Sequence, residues 1–90
     1  GLAEPSFAQN MNIYPNPTHG NVEVEFSVQG QDDVTIRFVN ALGQIISEHD
    51  LGRVTGDVTE RFDLTSQPKG VYLLQIDSNE GRVIRRITLQ

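Results

Sequence analysis

The residues best suited to chemistry in this chain are few, and their spacing gives them little to do together. His19 and His49 are the only histidines, and there is no cysteine. His19 lies between Pro17 and Gly20, in a stretch that reads as a turn. His49 is flanked by Glu48 and Asp50, groups that would suit a metal or a proton relay if they converged. Neighbours on a strand point to opposite faces, so local geometry does not bring these three together. Asp32-Asp33 could offer carboxylates to calcium at a loop, but the Asp-x-Asp-x-Asp-Gly spacing is missing. No serine sits in a nucleophile elbow. The reading is of a chain that is not an enzyme, with no cofactor and no metal site.

Binding chemistry is the next possibility. Tyr14 and Tyr72 are the only tyrosines, and four phenylalanines complete the aromatic set. A sugar-stacking platform needs several exposed coplanar rings, whereas the phenylalanines fall mostly on inward faces or in the N-terminal lead. An accessory carbohydrate-binding or adhesion module of a secreted enzyme is therefore the alternative reading. The net charge of −5 argues against nucleic acid as a partner. Its distribution is uneven: residues 1–63 hold 10 acidic and 3 basic side chains, residues 64–90 hold 2 and 4. Arg82, Arg85 and Arg86 share one strand near the C-terminus. They suit either cross-strand pairing with Glu23, Glu25 or Glu60, or a basic recognition edge.

The elements that must position these residues are strands. Residues 1–10 have no period and read as a linker from an upstream protein, with residues 11–90 as the domain. Residues 11–14 suit a short first strand. Pro15 and Pro17 then remove two backbone donors, which confines this stretch to an edge or a turn. Val22, Val24 and Phe26 alternate with polar residues, as do Val34, Ile36 and Phe38. Gly30-Gln31-Asp32-Asp33 reads as a turn between them. Asn40-Ala41-Leu42-Gly43 is a second turn, with Gly43 at positive φ. Ile45 and Ile46 stand side by side, which fits a bulge or a strand covered on both faces. Residues 52–57 read as a loop, and Val58, Phe62 and Leu64 then share a face with Glu60. Residues 71–77 suggest a central strand covered on both sides. Asn79-Glu80-Gly81 is a tight hairpin turn leading to a strand over residues 82–89. The fold class is all-β: an Ig-like Greek-key sandwich of about seven short antiparallel strands.

Two motifs stand out within this frame. The first is Tyr14-Pro15-Asn16-Pro17-Thr18-His19-Gly20, followed by Asn21-Val22. It resembles the Y-P-N-P-x-x-G-x-aliphatic opening of the type A C-terminal sorting domains of the Bacteroidetes type IX secretion system. The second, Pro68-Lys69-Gly70-Val71-Tyr72-Leu73-Leu74-Gln75-Ile76, is similar to that family's later P-x-G-aliphatic-Y motif. Asn40-Ala41-Leu42-Gly43-Gln44 resembles its mid-domain turn. Arg82-Val83-Ile84-Arg85-Arg86-Ile87-Thr88-Leu89 resembles its basic, aliphatic closing strand, although several members end in a Lys-rich strand and this chain reads Thr88-Leu89-Gln90.

The resemblance implies a non-catalytic address label on a protein that reaches the periplasm by a signal outside this sequence. Its implied partners are the type IX translocon, an outer-membrane shuttle protein and a sortase-like protease that cuts within residues 2–10. Its implied destination is the cell surface or the medium. Tyr14, Pro15, Asn16, Pro17, Gly20, Gly43, Gly70 and Tyr72 would hold the shape. Gly70, Val71, Tyr72, Arg82, Arg85, Arg86, Ile87 and Leu89 would meet the translocon, with unpaired backbone at the closing strand available for β-augmentation. Exposed edges could also pair two copies of the chain into a homodimer.

Overall fold

Alternation of apolar and polar side chains persists from Val22 to Phe38 with little interruption, and the backbone stays extended for the whole of it. In a computed structural model describing residues 4–90, β1 (Asn12–Tyr14) is followed by β2 (Asn21–Val39) and β3 (Ile45–Asp63). β4 (Gly70–Ser78) and β5 (Gly81–Leu89) complete one antiparallel sheet, and a short 3-10 turn spans Ser6–Asn10. The described residues thus form five strands, where seven short ones are expected. The seven alternating runs are all present, but four of them are fused into two strands of 19 residues each.

The fusion has a local cause. The glycine-rich stretches read as turns at Gly30 and at residues 52–57 are irregularities inside a β2–β3 ribbon. Pairing jumps from Val28↔Gly56 to Asp32↔Val54, leaving residues 29–31 unpaired. Gly30 sits at φ +72°, a conformation that costs a side chain but not a glycine. The strand bends there without reversing. Even-numbered side chains from Val22 to Phe38, Gly30 apart, therefore stay on the inner face. A further jump after Phe38 leaves Ile46 unpaired, which settles the Ile45-Ile46 ambiguity as a bulge.

The bend divides the sheet into two facing halves. One half holds β1, the first part of β2 and the last part of β3; the other holds the rest of β2 and β3 with β4 and β5. Phe38 from one half meets Phe62 from the other edge-to-face, with ring centroids 4.8 Å apart. Val22, Val24, Phe26, Leu74, Ile76, Val83, Ile87 and Leu89 fill the same core. β4 is central by pairing, lying between β2 and β5. It is not covered on both sides: Tyr72, Leu74 and Ile76 are buried, while Val71 and Leu73 are 38% and 37% exposed.

The residues read as a linker also carry structure from Glu4 onward. Phe7 is 2% exposed and stacks on Phe26 at 4.5 Å. At the bend, Asp32 is the one buried carboxylate among the described residues. Its Oδ1 accepts the Asn79 backbone N–H at 2.7 Å, so the bend of β2 holds the turn between β4 and β5.

Two adjacent leucines test the assignment of faces. Leu74→Ala should lower the unfolding free energy by about 2–5 kcal/mol, as buried truncations do. Leu73→Ala should cost less than about 1 kcal/mol because the residue is already more than a third exposed. Urea unfolding of both variants measures the difference, and equal losses would refute the faces described.

Candidate recognition surface

The proline-rich motif and the closing strand, distant in sequence, are bound to one another. An edge strand presents a row of unpaired backbone groups, and β5 has a strand partner on one side only. The loop after β1 covers half of the other side. Asn16 Nδ2 donates to the Arg86 carbonyl at 2.9 Å, and the Thr88 N–H donates to Asn16 Oδ1 at 3.0 Å. One amide side chain thus copies the donor–acceptor pair of a neighbouring strand. Backbone then replaces side chain: Thr18 N–H donates to the Thr88 carbonyl at 2.9 Å, and Gln90 N–H to the Thr18 carbonyl at 2.8 Å. The edge expected to be open for β-augmentation is therefore occupied from Arg86 to Gln90.

The residues around Asn16 hold it in place. The peptide bonds before Pro15 and Pro17 are both cis. Thr18 is buried, and its hydroxyl donates to the Asn21 carbonyl at 2.6 Å and accepts the Gly20 N–H at 3.0 Å. The Gly20 carbonyl accepts the Leu64 N–H at 2.8 Å. A β-carbon on Gly20 would lie 2.3 Å from Thr65 Cγ2 and 3.3 Å from Thr65 Cα, so a side chain there would force Thr65 to move. Tyr14 hydroxyl donates to Glu25 at 2.8 Å. That bond, some desolvation and the charges of Glu23 and Glu25 push the phenol up to about 12. In the second motif, Tyr72 is buried and its hydroxyl donates back to the Pro68 carbonyl, in the manner of a tyrosine corner. Gly43 takes φ +85° in its turn, and Gly70 opens β4.

The arginines of β5 do three different things, and none pairs with Glu23, Glu25 or Glu60. Arg82 Nε donates to Asp77 at 2.6 Å across the β4–β5 hairpin. Asp77 also accepts from Arg37, whose Nε reaches Glu48 at 2.9 Å. Arg82 first, and Arg37 with it, hold the Asp77 carboxyl below the usual aspartate range. Arg85 reaches Glu4 at 2.8 Å. Arg86 is exposed and makes no ion pair among the described residues. The three glutamates find other partners. Glu23 takes Arg61, Glu25 takes Tyr14, and Glu60 takes His49, which stacks on Phe62 at 4.0 Å. Among the described residues no cluster of His, Asp or Glu could hold a metal ion. His19 lies apart, its Nδ1 3.3 Å from the Gln90 carbonyl.

Of the residues expected to meet the translocon, Tyr72, Ile87 and Leu89 are buried in the core. Val71 and Arg86 face outward, and cross-strand pairing shows what surrounds them. Ile45, Val39, Leu73 and Arg86 form one row across β3, β2, β4 and β5. Gln75 and Ile84 stand in the next row, and Leu42 projects from the turn beside Val71. Among the described residues, five of the six exposed large apolar side chains lie on this one outer face: Leu42, Ile45, Val71, Leu73 and Ile84. Arg37, Val71, Leu73 and Arg86 line an open concavity of about 750 Å³ there. The odd parity of Val71 and Leu73 was a sequence signal for this face. The contribution of Ile45 was hidden by the bulge, which had to be seen before its phase was known.

Two measurements probe this arrangement. Asn16→Ala leaves the Thr88 N–H and Arg86 carbonyl unpaired; it should cost about 1–3 kcal/mol and speed hydrogen exchange at the Thr88 amide. Unchanged exchange there would refute the clamp. Asp77 has a depressed native pKa, so its contribution is present above the unfolded value near 3.8 and is lost as pH falls through the native one. Asp77→Asn should therefore flatten the acid limb of a stability–pH curve below about pH 4. An acid limb of unchanged slope would remove Asp77 from that role.

The described residues contain no helix long and apolar enough to cross a membrane. Comparison with curated proteins finds no match. The family model for the secretion system C-terminal sorting domain matches residues 12–90, which takes in both motifs, the clamp between them and all five strands. The chain belongs to the family of C-terminal sorting domains of the type IX secretion system.

Proposed function

We propose that this domain is a non-catalytic export signal that the type IX machinery reads as a folded surface, and that the outer face of β2, β4 and β5 is the surface read. Family membership carries the first part: the matched region is a secretion sorting signal, which directs the protein bearing it across the outer membrane. A machine that exports unrelated proteins needs a feature common to all of them, and a folded domain offers one independent of cargo sequence. The translocon, or an outer-membrane shuttle that presents the protein to it, would be the reader. A sortase-like protease would then remove the domain.

The second part is supported by the clustering of Ile45, Val71, Leu73 and Ile84 beside Arg86. Apolar side chains left in water on one sheet face, next to a cation with no ion pair among the described residues, fit a partner surface with apolar groups and a carboxylate. Of the residues expected to meet the translocon, Gly70, Val71 and Arg86 are kept as contacts, Arg82 and Arg85 are engaged by Asp77 and Glu4, and Tyr72, Ile87 and Leu89 support the face from beneath. The accessory sugar-binding alternative has less support. Phe7, Phe26, Phe38, Phe62 and Tyr72 are buried, leaving Tyr14, 41% exposed, as a single ring and not a platform.

Export of a reporter fused to this chain in a host with a type IX system tests both parts. The wild-type fusion should reach the medium or cell surface. Leu73→Glu and Arg86→Glu should each cut export by about tenfold while unfolding as cooperatively as wild type. Full export of both variants would refute the face. A folded wild-type fusion retained in the periplasm would refute the signal itself.

A further inference from the structure

Residues 4–10 precede every strand, yet each end of this segment is fastened to the sheet. Glu4 accepts from Arg85 Nη1 at 2.8 Å and from Nη2 at 3.3 Å. Pro5 is buried. The Ser6 N–H and hydroxyl both donate to the Glu80 carboxylate, at 3.2 and 3.3 Å. At the other end, Asn10 Nδ2 donates to the Ser27 carbonyl at 3.3 Å, and Ser27 N–H donates to Asn10 Oδ1 at 2.8 Å. Between these ties the backbone is helical, with Ala8 N–H donating to the Pro5 carbonyl at 3.0 Å, and Phe7 lies in the core against Phe26.

A protease takes its substrate as several consecutive extended residues in a cleft, because main-chain pairing to the enzyme needs a strand. A short helical turn whose central ring is buried cannot be taken in that form. Cutting inside it requires the turn to unwind and Phe7 to leave the core first, so the rate follows the population of that opened state.

We infer that residues 4–10 are a strap that protects its own peptide bonds, so that the cut separating this domain from its cargo falls on the N-terminal side of Pro5. The processing half of this inference rests on the export reading; the protection rests on the contacts alone. The step is ordinary peptide hydrolysis. The C–N bond breaks, the hydroxyl of water goes to the acyl carbon, and a proton goes to the departing amine. The strap thus restricts a sortase-like enzyme with broad sequence tolerance to a small window by conformation, without a recognition sequence.

Limited digestion of the 90-residue chain with a broad-specificity protease, followed by intact mass, tests the strap without any export component. Failure of the export reading therefore cannot change its outcome. Wild-type chain should be trimmed to a species that still contains residues 5–90 and then persist. Phe7→Ala should yield species beginning at residues 8–11 at least about tenfold faster. Asn10→Ala, which removes two hydrogen bonds and leaves the core intact, should move the rate the same way with a smaller loss of thermal stability than Phe7→Ala. Early wild-type cleavage between Ser6 and Asn10 would overturn the inference. So would unchanged rates in both variants.

Discussion

One antiparallel ribbon, β2 paired with β3, has to bury a single apolar face and has little else to bury it against. A flat ribbon of that length would leave the whole stripe in water. The bend at residues 29–31 solves this by letting the ribbon close on itself, which sets Phe38 of one half against Phe62 of the other. The remaining elements depend on that closure. β4 and β5 extend one half, β1 extends the other, and Phe7 packs on Phe26 beside the bend. Asp32, buried where the strand turns, is tied to the β4–β5 turn, so the bend and the distal hairpin are held in common. Only Oδ1 of this carboxylate is bonded and its buried Oδ2 has no partner, so the tie is specific in geometry but costly in free energy.

The same closure creates edges that must be managed. β5 is covered along its second half by a loop that imitates a strand with one asparagine and a few backbone groups. β3 pairs with β2 alone and carries Glu48, Asp50, Arg53, Asp57 and Arg61 along its length, with bulges that break its regularity. Charge and irregularity both discourage another strand from adding there. The outer face of β4 carries neither device, and its apolar side chains stand in water beside Arg86.

Much of this was legible in the chain. Alternation gave the buried sets on β2, β4 and β5 because a period of two is a direct consequence of strand geometry. The motif resemblance identified the family from residues that make specific contacts within the fold: Gly20 by close approach to Thr65, Asn16 by its clamp, Tyr72 by its hydroxyl bond to Pro68. Glycine was the source of the main error. Gly30, Gly52 and Gly56 take positive φ as a turn requires, but positive φ also serves a bulge, and no local signal separates a strand that bends from one that reverses. The role of residues 4–10 was hidden for a related reason. A single aromatic without periodic neighbours looks like linker until its partner ring, 19 positions away, is known.

The Asn16 clamp joins groups separated by 70 and 72 residues. A ribosome makes the loop well before the strand it grips. Until β5 has emerged, Asn16 has no carbonyl or amide to hold, and Val83, Ile87 and Leu89 are missing from the core. Contacts of such sequence separation form late and all together. The finished fold is thus a record that translation ran through to β5. A polypeptide abandoned short of it would carry the conspicuous proline motif but not the folded outer face, so the motif alone does not report a finished domain.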